Sequence, residues 1–169
     1  MKSHELFQQM SPALAAQVLG YVQRERTPDY KTVVQGLAQQ RKLRPVFVER
    51  KPPPERYAWM QAALGRKVSD TFAAHLLQAW LLGANRSLLC DFLDSLGVAH
   101  DADGTVEELP ESPPKAKLHE VITGLLAKYP AENVAVYLHA FHDMDSTVSW
   151  PPLGEVLQED NRVKLGAAS

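Results

Sequence analysis

Residues 70–84, DTFAAHLLQAWLLGA, decide the fold class. Phe72, Leu76, Leu77, Trp80, Leu81 and Leu82 recur at helical spacing and spread round most of the helix circumference. A helix that is apolar nearly all round has no wet face to offer and must be covered by other elements, so the spacing predicts a central helix over 70–83, opened by Ser69 or Asp70.

On the N-terminal side the same spacing continues. Ser11-Pro12 supplies an N-cap and a first-turn proline ahead of Leu14, Val18, Tyr21 and Val22, and Thr27-Pro28-Asp29 repeats that signal ahead of Tyr30, Val33, Val34 and Leu37. These two segments predict a helical hairpin. Helical spacing returns with Tyr57, Met60 and Leu64 and stops at Gly65.

On the C-terminal side, Leu88, Leu89, Phe92, Leu93 and Leu96 make one further stripe, ended by Gly97. Leu118, Val121, Ile122, Leu125, Leu126 and Tyr129 make another. Pro130 precedes a third, with Val134, Tyr137, Leu138 and Phe141, and Trp150-Pro151-Pro152 introduces a short amphipathic segment with Leu153, Val156 and Leu157. The expected architecture is all-α, a compact bundle of short helical hairpins with about eight helices.

Two stretches interrupt the pattern. Residues 41–54, RKLRPVFVERKPPP, carry Pro45 and the Pro52–Pro54 run, which no helix can pass through, and Val46-Phe47-Val48 favours extended backbone. Residues 98–114 are acidic, with three prolines and the turn-forming Asp103-Gly104. Together 46–48 and 104–107 allow a minimal two-stranded element. The domain organisation expected is a main helical domain over 1–97 with a basic connector at 41–54, an acidic linker at 98–114, and a C-terminal helical pair over 115–169 docked on the main domain.

A chain of 169 residues, 45% of them hydrophobic, can bury a core of its own. Its one cysteine, Cys90, excludes an intrachain disulfide and lies in an apolar helical stripe that should raise the thiol pKa. No apolar run reaches signal-peptide or membrane-span length, which makes the cytoplasm the expected location and a membrane an unexpected partner. The net charge of -2 conceals an opposition: residues 1–67 hold 12 Lys/Arg against 5 Asp/Glu, and residues 68–169 hold 6 against 15. Halves of +7 and -9 either cancel within the fold or face outside partners.

No motif names a reaction. Glycine-rich phosphate loops and nucleophile elbows are absent, and no cofactor is implied. His139-Ala-Phe-His142-Asp143-Met-Asp145 is the nearest approach to a metal set, with His139, His142 and Asp143 as candidate ligands, although counting 100° per residue puts both histidines at the polar boundary of their helix. His100-Asp-Ala-Asp-Gly resembles the middle of a calcium loop, but the frame puts Ala99 and Pro110 where the outer carboxylates belong.

The strongest segment is the basic connector, with Arg41, Lys42, Arg44, Arg50 and Lys51 as candidate anion or nucleic-acid contacts and Phe47 expected to anchor in the core. Trp59 and Trp150 stand off the apolar stripes and are candidate interface residues. These features rank three readings. First is a non-enzymatic interaction or scaffolding module that binds a protein or itself, second a nucleic-acid-binding protein using 41–51, and third a metal-dependent enzyme at His139 and His142.

Overall fold

The computed structural model describes residues 1–143 and 150–166, and among them there are helices, turns and loops but no strand. Ten α-helices are present among the described residues, two more than the apolar stripes predict: α1 (Ser3–Gln9), α2 (Pro12–Glu25), α3 (Thr27–Gln40), α4 (Pro45–Glu49), α5 (Pro53–Leu64), α6 (Asp70–Ala84), α7 (Arg86–Ser95), α8 (Lys115–Lys128), α9 (Ala131–Asp143) and α10 (Pro151–Glu159). The two additions are α1 and α4. No helix is long and apolar enough to cross a membrane.

The chain divides into two compact units inside α6, one over Lys2–Trp80 and the other comprising Met1 and Leu81–Ser169. In the first unit, α2 packs on α3 and α5, and α1 and α3 also pack on α5. Ser11 caps α2 as its sequence demands, its side chain accepting from the Leu14 amide at 3.1 Å, with Pro12 at the first helical position. The core is the sum of the apolar stripes: Phe7, Leu19, Leu37, Met60, Leu64 and Leu76 are buried completely or nearly so. Gln61 ties α1 to α5 by donating from Nε2 to the carbonyls of Phe7 and Met10, both at 3.0 Å. Asp70, opening α6, accepts from the backbone N–H of His4 at 2.9 Å and lies 2.7 Å from its Nδ1.

Residues 46–48 correct the expectation of an extended segment. They form the middle of the single helical turn α4. Pro45 sits at the first helical position, where its fixed φ starts a helix and its missing N–H costs nothing, and Val48, fully buried, anchors the turn. The other half of the proposed strand pair, 104–107, is no strand either: it leaves a tight turn over 101–105 closed by the Gly104 amide on the Asp101 carbonyl at 3.0 Å and the Asp101 amide on the Thr105 carbonyl at 2.8 Å.

In the second unit α8 packs on α7, α9 and α10, and the 3-10 turn Asn161–Val163 covers α9. Leu88, Phe92, Leu118, Ile122, Leu138 and Leu153 fill the centre. Phe92 meets Tyr137 and Phe141 edge-on at 5.3 and 5.2 Å between ring centres, and Phe141 in turn meets Trp150 at 5.2 Å. Such tilted and edge-on pairs add roughly 1 kcal/mol each to plain burial. Segment 98–114 carries no helix and is held by side chains: Trp150 donates from Nε1 to the Pro110 carbonyl at 3.1 Å, and His100 lies 2.7 Å from Asp94.

The opposed charges follow this division. Lys2–Trp80 carries 12 Lys/Arg against 6 Asp/Glu, while Leu81–Ser169 carries 6 against 14. One unit is formally +6 and the other -8.

Candidate interaction surface

α3 ends in a left-handed turn that sets the geometry of the surface. The Leu43 amide bonds to the Ala38 carbonyl at 2.9 Å and the Lys42 amide to Gln39 at 3.0 Å, the paired bonds of a Schellman cap. The position that usually takes glycine is Lys42, with φ 55°. A side chain in that conformation costs roughly 1 kcal/mol. The chain leaves α3 with Leu43 outward, turns at Arg44 and enters α4 through Pro45.

Phe47 corrects a second expectation. It does not enter the core: it is 57% exposed, and Val46 and Leu43 stand 37% and 41% exposed nearby. Successive residues of a helix point about 100° apart, and a five-residue turn anchored by Val48 cannot also bury Val46 and Phe47. The other large exposed hydrophobic residue among the described ones is Val68. Its carbonyl accepts from Gln40 Nε2 at 3.2 Å, and Ser69 donates to Gln40 Oε1 at 2.8 Å, so the 3-10 turn Lys67–Ser69 is held against the same C-terminal end of α3. Four large apolar side chains that the fold leaves in water therefore gather at one end of one helix.

The basic residues surround them. Arg41, Lys42 and Arg44 precede α4, Arg50 and Lys51 follow it, and Arg66 and Lys67 flank Val68. All are exposed except the half-buried Lys51. Among the described residues none of these seven side chains takes part in a hydrogen bond or an ion pair. The same unit does pair other cations: Arg26 binds Asp29 at 2.8 Å, and Arg56 donates to the carbonyls of Glu49 and Lys51, bracing the α4–α5 junction. His75 lies 3.2 Å from Asp29, whose carboxyl that contact, opposed by partial burial, holds below its ordinary range.

The five candidate residues of 41–51 are thus brought to the two ends of one short helix. Sequence reasoning missed Leu43, Val46 and Val68 as parts of this surface and misplaced Phe47. Nothing local marks them, because an apolar side chain carries the same signal whether it faces core or solvent.

The metal candidates are placed differently. His139 is 7% exposed, not at a polar boundary, and donates from Nε2 to the Val163 carbonyl at 3.2 Å. Burial pushes its pKa down to about 4, against the opposing effect of that hydrogen bond. His142 is half-buried and stacked against α10, where a Cβ on Gly154 would come within 2.9 Å of its ring. Burial lowers its pKa too. The two rings line one cleft of ≈ 500 Å³ with Leu157, Gln158 and Lys164. No group of three His, Cys, Asp or Glu residues able to hold a metal occurs among the described residues. Asp145 lies outside them, and Asp143 ends α9.

Of the two tryptophans, Trp59 is half-buried on α5, whereas Trp150 is 4% exposed and belongs to the aromatic cluster of the core. Trp150 is corrected from contact residue to core residue, since its rigid ring fills the space beside Phe141 and its N–H finds Pro110. Cys90 is half-buried, its thiol pushed up by burial. Asp103 accepts from the Thr105 amide at 2.9 Å, a local turn bond.

No protein-family model, no curated protein and no solved structure matches the chain.

Proposed function

We propose that the chain is a non-enzymatic interaction module that docks a protein segment combining acidic and apolar side chains on the surface formed by Leu43, Val46, Phe47 and Val68. The observation that carries this reading is the coincidence of two costs at one place. Leaving a Phe, a Leu and two Val between 37% and 62% exposed forgoes part of the roughly 1.5–3 kcal/mol that complete burial of each side chain gives. Around the same residues stand seven cations that the chain leaves unpaired. A partner with carboxylates around a small apolar centre relieves both, with the apolar contacts giving affinity and the charged rim giving orientation and on-rate. The left-handed Lys42 supports the reading, because a residue kept there in place of glycine retains a charge at a stability cost.

Selection from a displayed library of random twelve-residue peptides tests it. Enriched sequences should combine Asp/Glu with Leu, Phe or Trp, and each should bind at least tenfold more weakly to Phe47→Ser and to Arg44→Glu. No enrichment at low salt, or enrichment indifferent to both variants, contradicts the reading. Phe47-dependent retention of single-stranded oligonucleotides in place of acidic peptides would overturn it in favour of nucleic acid.

A further inference from the structure

The acidic unit carries a segment of the chemistry that the basic surface requires. We propose that the occupant of the α4 surface is the acidic 101–111 segment of a second copy of this chain, bound head to tail; this rests on the docking reading above. Asp101, Glu107, Glu108 and Glu111 are all exposed and, among the described residues, none makes a side-chain ion pair. Val106 and Leu109, half-buried, stand between those carboxylates. Four carboxylates around two apolar residues match Arg41, Lys42, Arg44, Arg50 and Lys51 around Val46 and Phe47.

The segment is also ordered before it binds. Asp101, Thr105 and Gly104 close a turn with backbone bonds of 2.8 and 3.0 Å, Asp103 accepts from the Thr105 amide, and the Pro110 carbonyl is fixed by Trp150. A segment already held in shape pays less entropy on docking than a free peptide. Charges of +6 and -8 on separate units attract unlike units of different molecules and repel like ones, which selects a head-to-tail encounter over a symmetric one. Such a contact is heterologous. Each added copy leaves one basic and one acidic face free, so assembly either propagates or closes into a ring.

Sedimentation equilibrium of the full chain at low salt, over two decades of concentration, tests the proposal. The apparent mass should rise with concentration and return to that of one chain at about 0.5 M salt, where the Debye length falls to about 4 Å. Arg44→Glu with Phe47→Ser should weaken self-association at least tenfold, and so should Glu107→Lys with Glu108→Lys; all four sites are exposed, and helical circular dichroism checks that both variants fold. An equimolar mixture of the two variants retains one intact basic face and one intact acidic face, so it should form a one-to-one dimer that grows no further. A single-chain mass at every concentration overturns the proposal, as does association that survives in either variant alone. If peptide selection still depends on Phe47 while the chain stays monomeric, only the second copy as occupant is lost; if neither occurs, the docking reading falls with it.

Discussion

Phe47 and Val48 are consecutive residues of α4 with opposite environments, Phe47 57% exposed and Val48 completely buried. A single turn of helix thus carries both the residue that holds the connector down and the residue it presents. Val48→Ala should cost about 1–2 kcal/mol, because it removes two buried methyl groups from the contact between α4 and α3. Phe47→Ser should change stability by no more than about 0.5 kcal/mol, as a surface substitution does. Urea denaturation of both variants checks the contrast. Equal losses would show that Phe47 is packed.

Lys42 makes a second contrast available. With φ at 55° it occupies a conformation natural to glycine, so Lys42→Gly should stabilise the chain by about 0.5–1 kcal/mol while removing one cation from the surface. Higher thermal stability together with weaker binding of acidic peptide is the expected pair of results. A destabilised Lys42→Gly would mean that the turn is not strained.

Two helical glycines should answer oppositely to alanine. A Cβ on Gly36 of α3 would meet the Phe72 ring at 2.2 Å, so Gly36→Ala forces that ring aside and should lose about 1–3 kcal/mol, more than helix propensity returns. Gly124 of α8 is exposed and a Cβ there meets nothing within 4 Å. Gly124→Ala should gain about 1 kcal/mol by propensity alone. Thermal melts of the two variants measure the pair.

Acid should act through His139. Its native pKa is about 4, because burial disfavours the charged ring, while an unfolded histidine titrates near about 6.5. Between those values the unfolded chain binds the extra proton. The stability that neutral His139 contributes is therefore complete above about pH 6.5 and is lost progressively down to pH 4, by up to about 3 kcal/mol. His139→Gln keeps a donor for Val163 and has no proton to bind, so its urea midpoint should vary less over that range. His142, also held low by burial, contributes in the same direction. An unchanged slope in His139→Gln would show that the ring is already solvated.

Eight of the ten helices among the described residues were legible because each sets apolar residues at helical spacing beside punctuation that the backbone obeys, such as Ser11 before Pro12 and Gly97, with φ 69°, after α7. The two that were not are too short to show a period. α1 offers only the adjacent Leu6 and Phe7, with Met10 just beyond it. In α4 the β-branched valines argue for extended backbone, and Pro45 at the first turn together with buried Val48 overrides them. The cations of the candidate surface were visible as composition; its apolar centre was not, since only packing decides which side of a single turn faces water. Trp150 failed for the same reason in reverse. The two prolines after it mark a helix start, and the cluster that buries its ring runs through Phe141 of the neighbouring α9 to Phe92 of α7, far away in the chain.

The docking surface proposed for an acidic, apolar segment is the end of α3 together with the turn α4. Titrating the isotope-labelled chain with a synthetic glutamate- and leucine-rich peptide, and following backbone amide resonances at low salt, tests it most directly. The largest shifts should fall within residues 41–51 and 66–68, and they should vanish in Phe47→Ser. No shift at millimolar peptide, or shifts elsewhere that persist in Phe47→Ser, would contradict it.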